Sequence, residues 1–253
     1  METTVNGQLM LLMLIEEALL NLSYVQLIQS NTDGITLKIK EEELPIYLDI
    51  CSKWEKLTRL QLEHAFYDKM IVADVNSYIG IYKDNIKSPK CKGRFEWEDL
   101  QNYKATHLHK NKSNLIVPKA IYAYFVNGIK PEKYLEDNRN IYDYCSGVKA
   151  KGDWRFYELK ITKGEYTETK LNKIVRYYIS NNGCKIVKRS PDGREIQTES
   201  GEWMQTIFNK FQDKKWEDYN VNERYYLENI YKEINNIEPI EENKPKQLTF
   251  DLW

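Results

Sequence analysis

Residues Tyr24–Lys40 read YVQLIQSNTDGITLKIK. Two apolar segments rich in β-branched residues, Tyr24–Gln29 and Ile35–Ile39, flank Ser30-Asn31-Thr32-Asp33-Gly34. Asp-Gly between such runs is the strongest short-range hairpin signal a single sequence offers. The plain reading is a chain reversal, since Gly34 tolerates positive φ. The chemical reading is that the tip holds Asp33 out of the sheet as a metal-binding carboxylate. A hard cation such as Mg²⁺ takes such a ligand and keeps several waters for substrate phosphates.

Outward from the hairpin, residues 1–22 read as a helix with Asn6 as its N-cap. The run Leu9–Ile15 is apolar on every face, as in a helix buried all round. Glu16 and Glu17 stop it well short of the roughly 20 apolar residues that span a bilayer. The acidic, uncharged-polar start is unlike a signal peptide. Glu41–His64 is a second helical stretch, with Leu44, Leu48, Trp54, Leu57, Leu60 and Leu62 near helical spacing and Pro45 tolerated in the first turn. It is expected to pack the hairpin from one side. Lys69–Tyr82 has the β-branched and aromatic content of a strand. Read as one strand, it puts Asp74, Asn76 and Tyr78 on one face and Ile71, Ala73, Val75 and Ile79 on the other.

After Lys83 the charge changes sign. Residues 83–194 hold 24 Lys and Arg against 13 Asp and Glu, whereas the rest hold 13 against 25, so the net charge of −1 conceals a basic middle. The clusters Lys87–Arg94, Lys104–Lys112 and Lys149–Arg155 are interleaved with Tyr, Trp and Phe, which suits phosphates and stacked bases; the plain alternative is a solvated surface. His107 and His109 lack a second Cys or His pair at zinc-like spacing and read as structural or solvent-facing. Pro118–Tyr124 is a short helix ending near Asn127-Gly128. Ile129–Glu132 opens another that Ile141–Cys145 extends, and Gly147–Phe156 is a basic loop. β structure is expected over Leu171–Asn209, with Val175–Ser180 and Cys184–Arg189 joined as a hairpin by Asn181-Asn182-Gly183. Pro191-Asp192-Gly193 turns again, and Gly201–Phe208 is strand. Asp218–Ile234 is an amphipathic helix, followed by a polar tether and QLTFDLW. The four cysteines are isolated, which points to a reducing cytoplasm.

The hairpin resembles motif C of family B DNA polymerases, Tyr-x-Asp-Thr-Asp-Ser at the turn of a palm hairpin. It is most similar to the divergent branch found in bacteriophages, including crAss-like phages, where the motif reads Asn-Thr-Asp-Gly. Asp33 matches the second Asp of the motif, the metal ligand, while Asn31 replaces the first. Asp-Val-Asn-x-Tyr-Ile at 74–79 resembles the family's Lys-x-Tyr element, with Tyr78 matching and Asn76 standing for the Lys. His107–Leu135 and RYYIS-NNG-KIVKR resemble segments that follow the palm in the phage enzymes.

The resemblance implies an α+β fold: a partial palm (1–85, a hairpin and strand packed on helices), a mixed helical and β thumb-like DNA-binding region (86–234) and a tail (235–253). It implies the C-terminal part of a DNA-directed DNA polymerase acting in a bacterial host cytoplasm. Asp33 is then the catalytic and metal residue, for Mg²⁺ in a two-metal site completed by a carboxylate from elsewhere. Thr32, Asn76, Tyr78, Lys110, Lys112, Lys119, Lys149, Lys151 and Arg155 are the candidate primer–template contacts. Its partners are primer–template DNA, dNTP and an N-terminal polymerase part with motif A and fingers, with no membrane. Gln247, Leu248, Phe250 and Leu252 resemble a peptide that binds a ring-shaped sliding clamp. Met1 is either the true start of a split subunit or the product of an interrupted gene. The alternative is a non-catalytic, clamp-tethered DNA-binding accessory protein.

Overall fold

In the computed structural model, residues 2–97, 114–162, 164–207 and 214–237 are described. They form an α+β fold with open sheets, in two units that meet in the chain after Lys90.

The first unit is built around helix α1 (Glu2–Asn21), rich in the good helix formers Leu, Met and Glu. The helix already starts at Glu2, so Asn6 lies inside it rather than capping it. Leu11, Leu14, Ile15 and Ala18 bury one face. Val5, Leu9, Leu12, Met13, Leu19 and Leu20 on the other face are exposed, Leu20 at 80%. The expectation of a helix buried all round is therefore corrected: the elements packed on it among the described residues cover one side.

Those elements are the hairpin and the second helix. Strands β1 (Val25–Ser30) and β2 (Ile35–Ile39) pair antiparallel, with Val25 opposite Ile39, Leu27 opposite Leu37 and Ser30 opposite Ile35. The register shifts by a bulge between Leu27 and Gln29. Val25, Ile35, Leu37 and Ile39 pack against Leu14 and Ala18 of α1 and against Ile50, Cys51 and Trp54 of α2 (Leu44–Thr58). Each fully buried aliphatic side chain of this cluster contributes about 1.5–3 kcal/mol. The Trp54 indole N–H donates to the Met10 carbonyl at 2.7 Å, tying the two helices. Pro45 lies in the first turn of α2 as expected, but the helix stops at left-handed Arg59 (φ 60°), short of His64.

The expected strand over Lys69–Tyr82 is instead a hairpin of β3 (Tyr67–Asp74) and β4 (Ser77–Tyr82), in register Val72 to Tyr78 and Asp74 to Ser77. The reason is local: Asp74 Oδ1 accepts the Asn76 N–H at 2.9 Å, an Asx turn that reverses the chain. The short β5 (Lys90–Cys91) marks the passage into the second unit.

In the second unit α3 (Ile116–Asn127) ends on left-handed Gly128 (φ 68°), the glycine cap expected from Asn-Gly. Helix α4 (Pro131–Asp137) ends at Asn138, and the Ile141–Tyr144 segment is a separate 3₁₀ turn capped by the Asn140 side chain, not a continuation. Among the described residues seven strands follow: β6 (Ser146–Lys149), β7 (Arg155–Thr162), β8 (Glu165–Lys170), β9 (Ile174–Ser180), β10 (Lys185–Arg189), β11 (Glu195–Gln197) and β12 (Trp203–Thr206). β structure thus begins well before Leu171, and the expected Gly147–Phe156 loop shrinks to residues 150–154, its two ends belonging to β6 and β7.

The strands form two sheets, ordered β12-β9-β6 and β11-β10-β7-β8. The expected β9–β10 hairpin is therefore wrong: its two strands belong to different sheets. Gly183 sits at φ 141° where its backbone passes Met204, and Cys184 and Met204 exchange both backbone hydrogen bonds at 2.9 Å. The Asn181 N–H donates to the Asn220 carbonyl. These long-range bonds pull the Asn-Asn-Gly segment out of hairpin geometry.

The last helical region is also interrupted. A single turn, α5 (Trp216–Tyr219), ends at left-handed Asn220 (φ 48°), and α6 (Glu223–Asn236) starts after Asn222, whose side chain accepts the Tyr225 N–H. Tyr226 of α6, fully buried, accepts the Ile179 N–H at 2.9 Å and donates to the Tyr144 carbonyl at 2.7 Å, stitching the helix to β9.

Candidate metal and nucleic-acid sites

The β1–β2 loop is Asn31-Thr32-Asp33-Gly34, closed by the Asn31 N–H donating to the Gly34 carbonyl at 3.0 Å. Asn31 Oδ1 accepts the Asp33 N–H at 3.3 Å, so the Asn31 side chain helps hold the turn that carries Asp33. Gly34 lies outside the glycines with positive φ, so the turn closes without using its left-handed freedom. Thr32 and Asp33 are both exposed. Beside them Gln8, Leu12 and Ile15 of α1 line a shallow recess with Ser30, Asn31 and Thr32.

The register puts Gln26 opposite Lys38 and Gln29 opposite Thr36, giving the hairpin a polar face behind its apolar one. Gln29 Oε1 on that face is buried and has no partner among the described residues. Among the described residues no cluster of three or more His, Cys, Asp or Glu stands ready for a metal. A Mg²⁺ site can nevertheless rest on one or two protein carboxylates with waters and substrate phosphates completing it. Asp33, exposed at a tip held by a hydrogen-bonded turn, fits one corner of such a site.

Asn76 is exposed in the β3–β4 turn, and Tyr78 is half-buried on β4. The two therefore leave the common strand face that the sequence assigned them. Lys119 is corrected more sharply. Its ammonium sits 3.0 and 2.9 Å from the two carboxylate oxygens of Asp143, whose side chain is 3% exposed, and Asn138 donates to the same carboxylate at 2.9 Å. That cation belongs to a buried ion pair inside the second unit rather than to a phosphate-facing surface.

Lys149 and Lys151 are exposed, and the Arg155 guanidinium donates to the Gly152 and Trp154 carbonyls at 3.3 and 2.8 Å. The fold adds two lysines that sequence proximity does not reveal. Lys173 donates to the Gly152 carbonyl at 3.0 Å, and Lys188 places its ammonium 4.9 Å from the centre of the Trp154 ring. In sequence they are two scattered cations, Lys173 just before β9 and Lys188 within β10, which read equally as a solvated surface.

Lys110, Lys112, His107, His109 and the tail residues Gln247, Leu248, Phe250 and Leu252 lie outside the described residues. Among the described residues no helix is long and apolar enough to cross a membrane. All four cysteines are free. Burial pushes the thiols of Cys145 and Cys184 up to about 12, and those of Cys51 and Cys91 are also raised by burial. They are poor nucleophiles near neutrality. Compared with known protein families, curated proteins and solved structures, the chain matches none.

Proposed function

We propose that the chain is the C-terminal portion of a DNA-directed DNA polymerase of the family B phage type, holding part of the palm and a thumb-like DNA-binding region. The observation that carries it is the hairpin itself. Its apolar face is fastened to α1 and α2, its other face is polar, and its hydrogen-bonded tip presents Asp33 to solvent beside Thr32. A carboxylate on a rigid strand turn is how a metal ligand is held to sub-ångström tolerance. Bound at Asp33 and at a carboxylate from an N-terminal part, Mg²⁺ would activate a primer 3′-hydroxyl and stabilise the leaving pyrophosphate of a dNTP. The chain's own residues then anchor that ion by one ligand and hold the primer–template through the second unit's cations. The uncovered apolar face of α1 suits a piece that is completed by another polypeptide.

The test uses the chain combined with the polypeptide that supplies motif A and the fingers. Asp33→Ala should lower nucleotide incorporation by at least about a hundredfold, the usual scale for losing a pre-organised charge at a reacting centre. Primer–template affinity should stay within about twofold, because the exposed tip contributes little to phosphate binding. Extension at the wild-type rate by the Ala variant in Mg²⁺ refutes the assignment. Without that partner the chain should bind primer–template and not extend it.

A second reading, a non-catalytic DNA-binding accessory protein, draws on the Lys149–Arg155 cations alone. The same Asp33 variant separates the two, since only the polymerase loses a reaction.

A further inference from the structure

The connection from β6 to β7 folds back on itself. The Trp154 N–H donates to the Lys151 carbonyl at 3.3 Å, and the Ala150 N–H donates to the Lys173 carbonyl at 2.8 Å. Gly152 offers its carbonyl to both Lys173 and Arg155. On β10, Lys188 lies directly opposite Phe156 of β7, which brings its ammonium over the half-buried Trp154 ring. Lys188 thus lies against the indole, Arg155 and Lys173 bond to the backbone of the loop that carries it, and Lys149 and Lys151 are exposed on that same connection, with Asp153 as the acid of the loop.

Among the described residues none of these five has a carboxylate within ion-pair distance. Arg189, next along β10, is held instead by Glu168 and Glu195 at 3.0 and 2.8 Å. Cations without a carboxylate partner, on a loop that also carries an aromatic ring, are what a polyanion with unpaired bases requires. In a duplex the bases stack on one another and offer the ring no face. In a single strand each base has one to give.

We infer that the β6–β7 loop is a single-stranded nucleic-acid site, in which Lys149, Lys151 and Lys173 hold successive phosphates and an unpaired base stacks on Trp154, backed by Lys188. This deepens the proposed function by naming the strand state held by the second unit, and it rests only on the nucleic-acid-binding half of that reading. Arg155 and Lys173 have a further duty: their bonds to Gly152 fix the loop so that the ring is presented in one position.

The test uses the purified full chain and three labelled probes of equal length, read by fluorescence anisotropy over a range of salt. The probes are an oligo-dT, the same sugar–phosphate chain lacking bases, and a duplex. The wild-type chain should prefer oligo-dT to the abasic strand. Trp154→Ala should lose that preference, weakening oligo-dT roughly tenfold on the scale of one stacked base while abasic and duplex binding hold within about twofold. Trp154→Phe should recover most of the loss. Lys151→Gln should weaken all three probes and reduce the salt slope by about one.

Thermal melts of each variant separate loss of binding from loss of fold. Should Trp154→Ala not fold, the preference measured in Trp154→Phe and the slope of the exposed Lys151→Gln still decide. The inference is overturned if folded Trp154→Ala keeps the wild-type preference for oligo-dT. It also fails if the wild-type chain binds abasic and dT strands alike, or if Lys151→Gln leaves the slope unchanged. Asp33→Ala should bind oligo-dT as the wild type does, so failure here and failure of the polymerase assignment are told apart.

Discussion

Gly183→Ala tests the least expected part of the fold, the departure of β10 from β9 into another sheet. A Cβ on Gly183 would stand 2.2 Å from the Met204 carbonyl oxygen and 3.0 Å from its carbon. Both are backbone atoms, so no side chain can swing away. Relief requires β12 to retreat by roughly 1 Å, which carries the two 2.9 Å bonds between Cys184 and Met204 beyond hydrogen-bonding range. Both residues are buried, so each lost bond costs about 1 kcal/mol or more. Holding an L-residue at φ 141° costs on the order of 1–3 kcal/mol besides. The total is roughly 3–5 kcal/mol, a large share of the ~5–15 kcal/mol that stabilises a typical domain. Gly193 is the control. It also has positive φ (86°), yet a Cβ there meets nothing within 4 Å, so Gly193→Ala should cost only the conformational part, about 1 kcal/mol. Urea unfolding followed by circular dichroism measures both, with unchanged m-values required for the comparison. Destabilisation of the two variants within about 1 kcal/mol of each other would show that β12 does not press on Gly183, and the sheet assignment would fall.

The other predictions are briefer. Lys119→Met removes the cation from the buried Asp143 carboxylate, which Asn138 also donates to, and should destabilise the protein by about 3 kcal/mol, the lower end for breaking a buried pair. It should leave the salt slope of DNA binding unchanged; a slope reduced by about one, without loss of stability, would return Lys119 to the phosphate-facing set. Native protein at pH 8 should react slowly with a thiol reagent, Cys145 and Cys184 least of all, and all four cysteines should react at once after denaturation. Their thiol values are raised in the folded state. Stability from this source is therefore whole below the unfolded thiol value near about 8.5 and falls as pH climbs from there towards about 12, which a urea series at rising pH would reveal. On the proposed polymerase function, deleting residues 247–253 should leave short-primer extension by the chain with its N-terminal part unchanged and reduce clamp-stimulated long synthesis. A drop of several degrees in melting temperature with no clamp binding would instead make the tail structural.

What the sequence determined by itself was local. Asp-Gly between two apolar runs marked the Tyr24–Lys40 hairpin and put Asp33 at its tip, and Asn-Gly marked the end of α3, because turn and cap chemistry act over a few residues. The charge excess of residues 83–194 singled out the basic middle without saying which cations face solvent. Lys119 and Lys151 are alike in sequence; one is consumed by Asp143 and the other is exposed, a distinction made by burial. The outer face of α1 looked like core because its residues are apolar, yet helical periodicity cannot say how many neighbours arrive to cover it. Asn181-Asn182-Gly183 carries a hairpin signal that tertiary bonds to Asn220 and Met204 override. The same holds for the cations of the β6–β7 loop. Lys173, just before β9, reaches the Gly152 carbonyl and Lys188 on β10 reaches the Trp154 ring, brought together by strand pairing across tens of residues, and no local pattern in a sequence encodes such pairing energies.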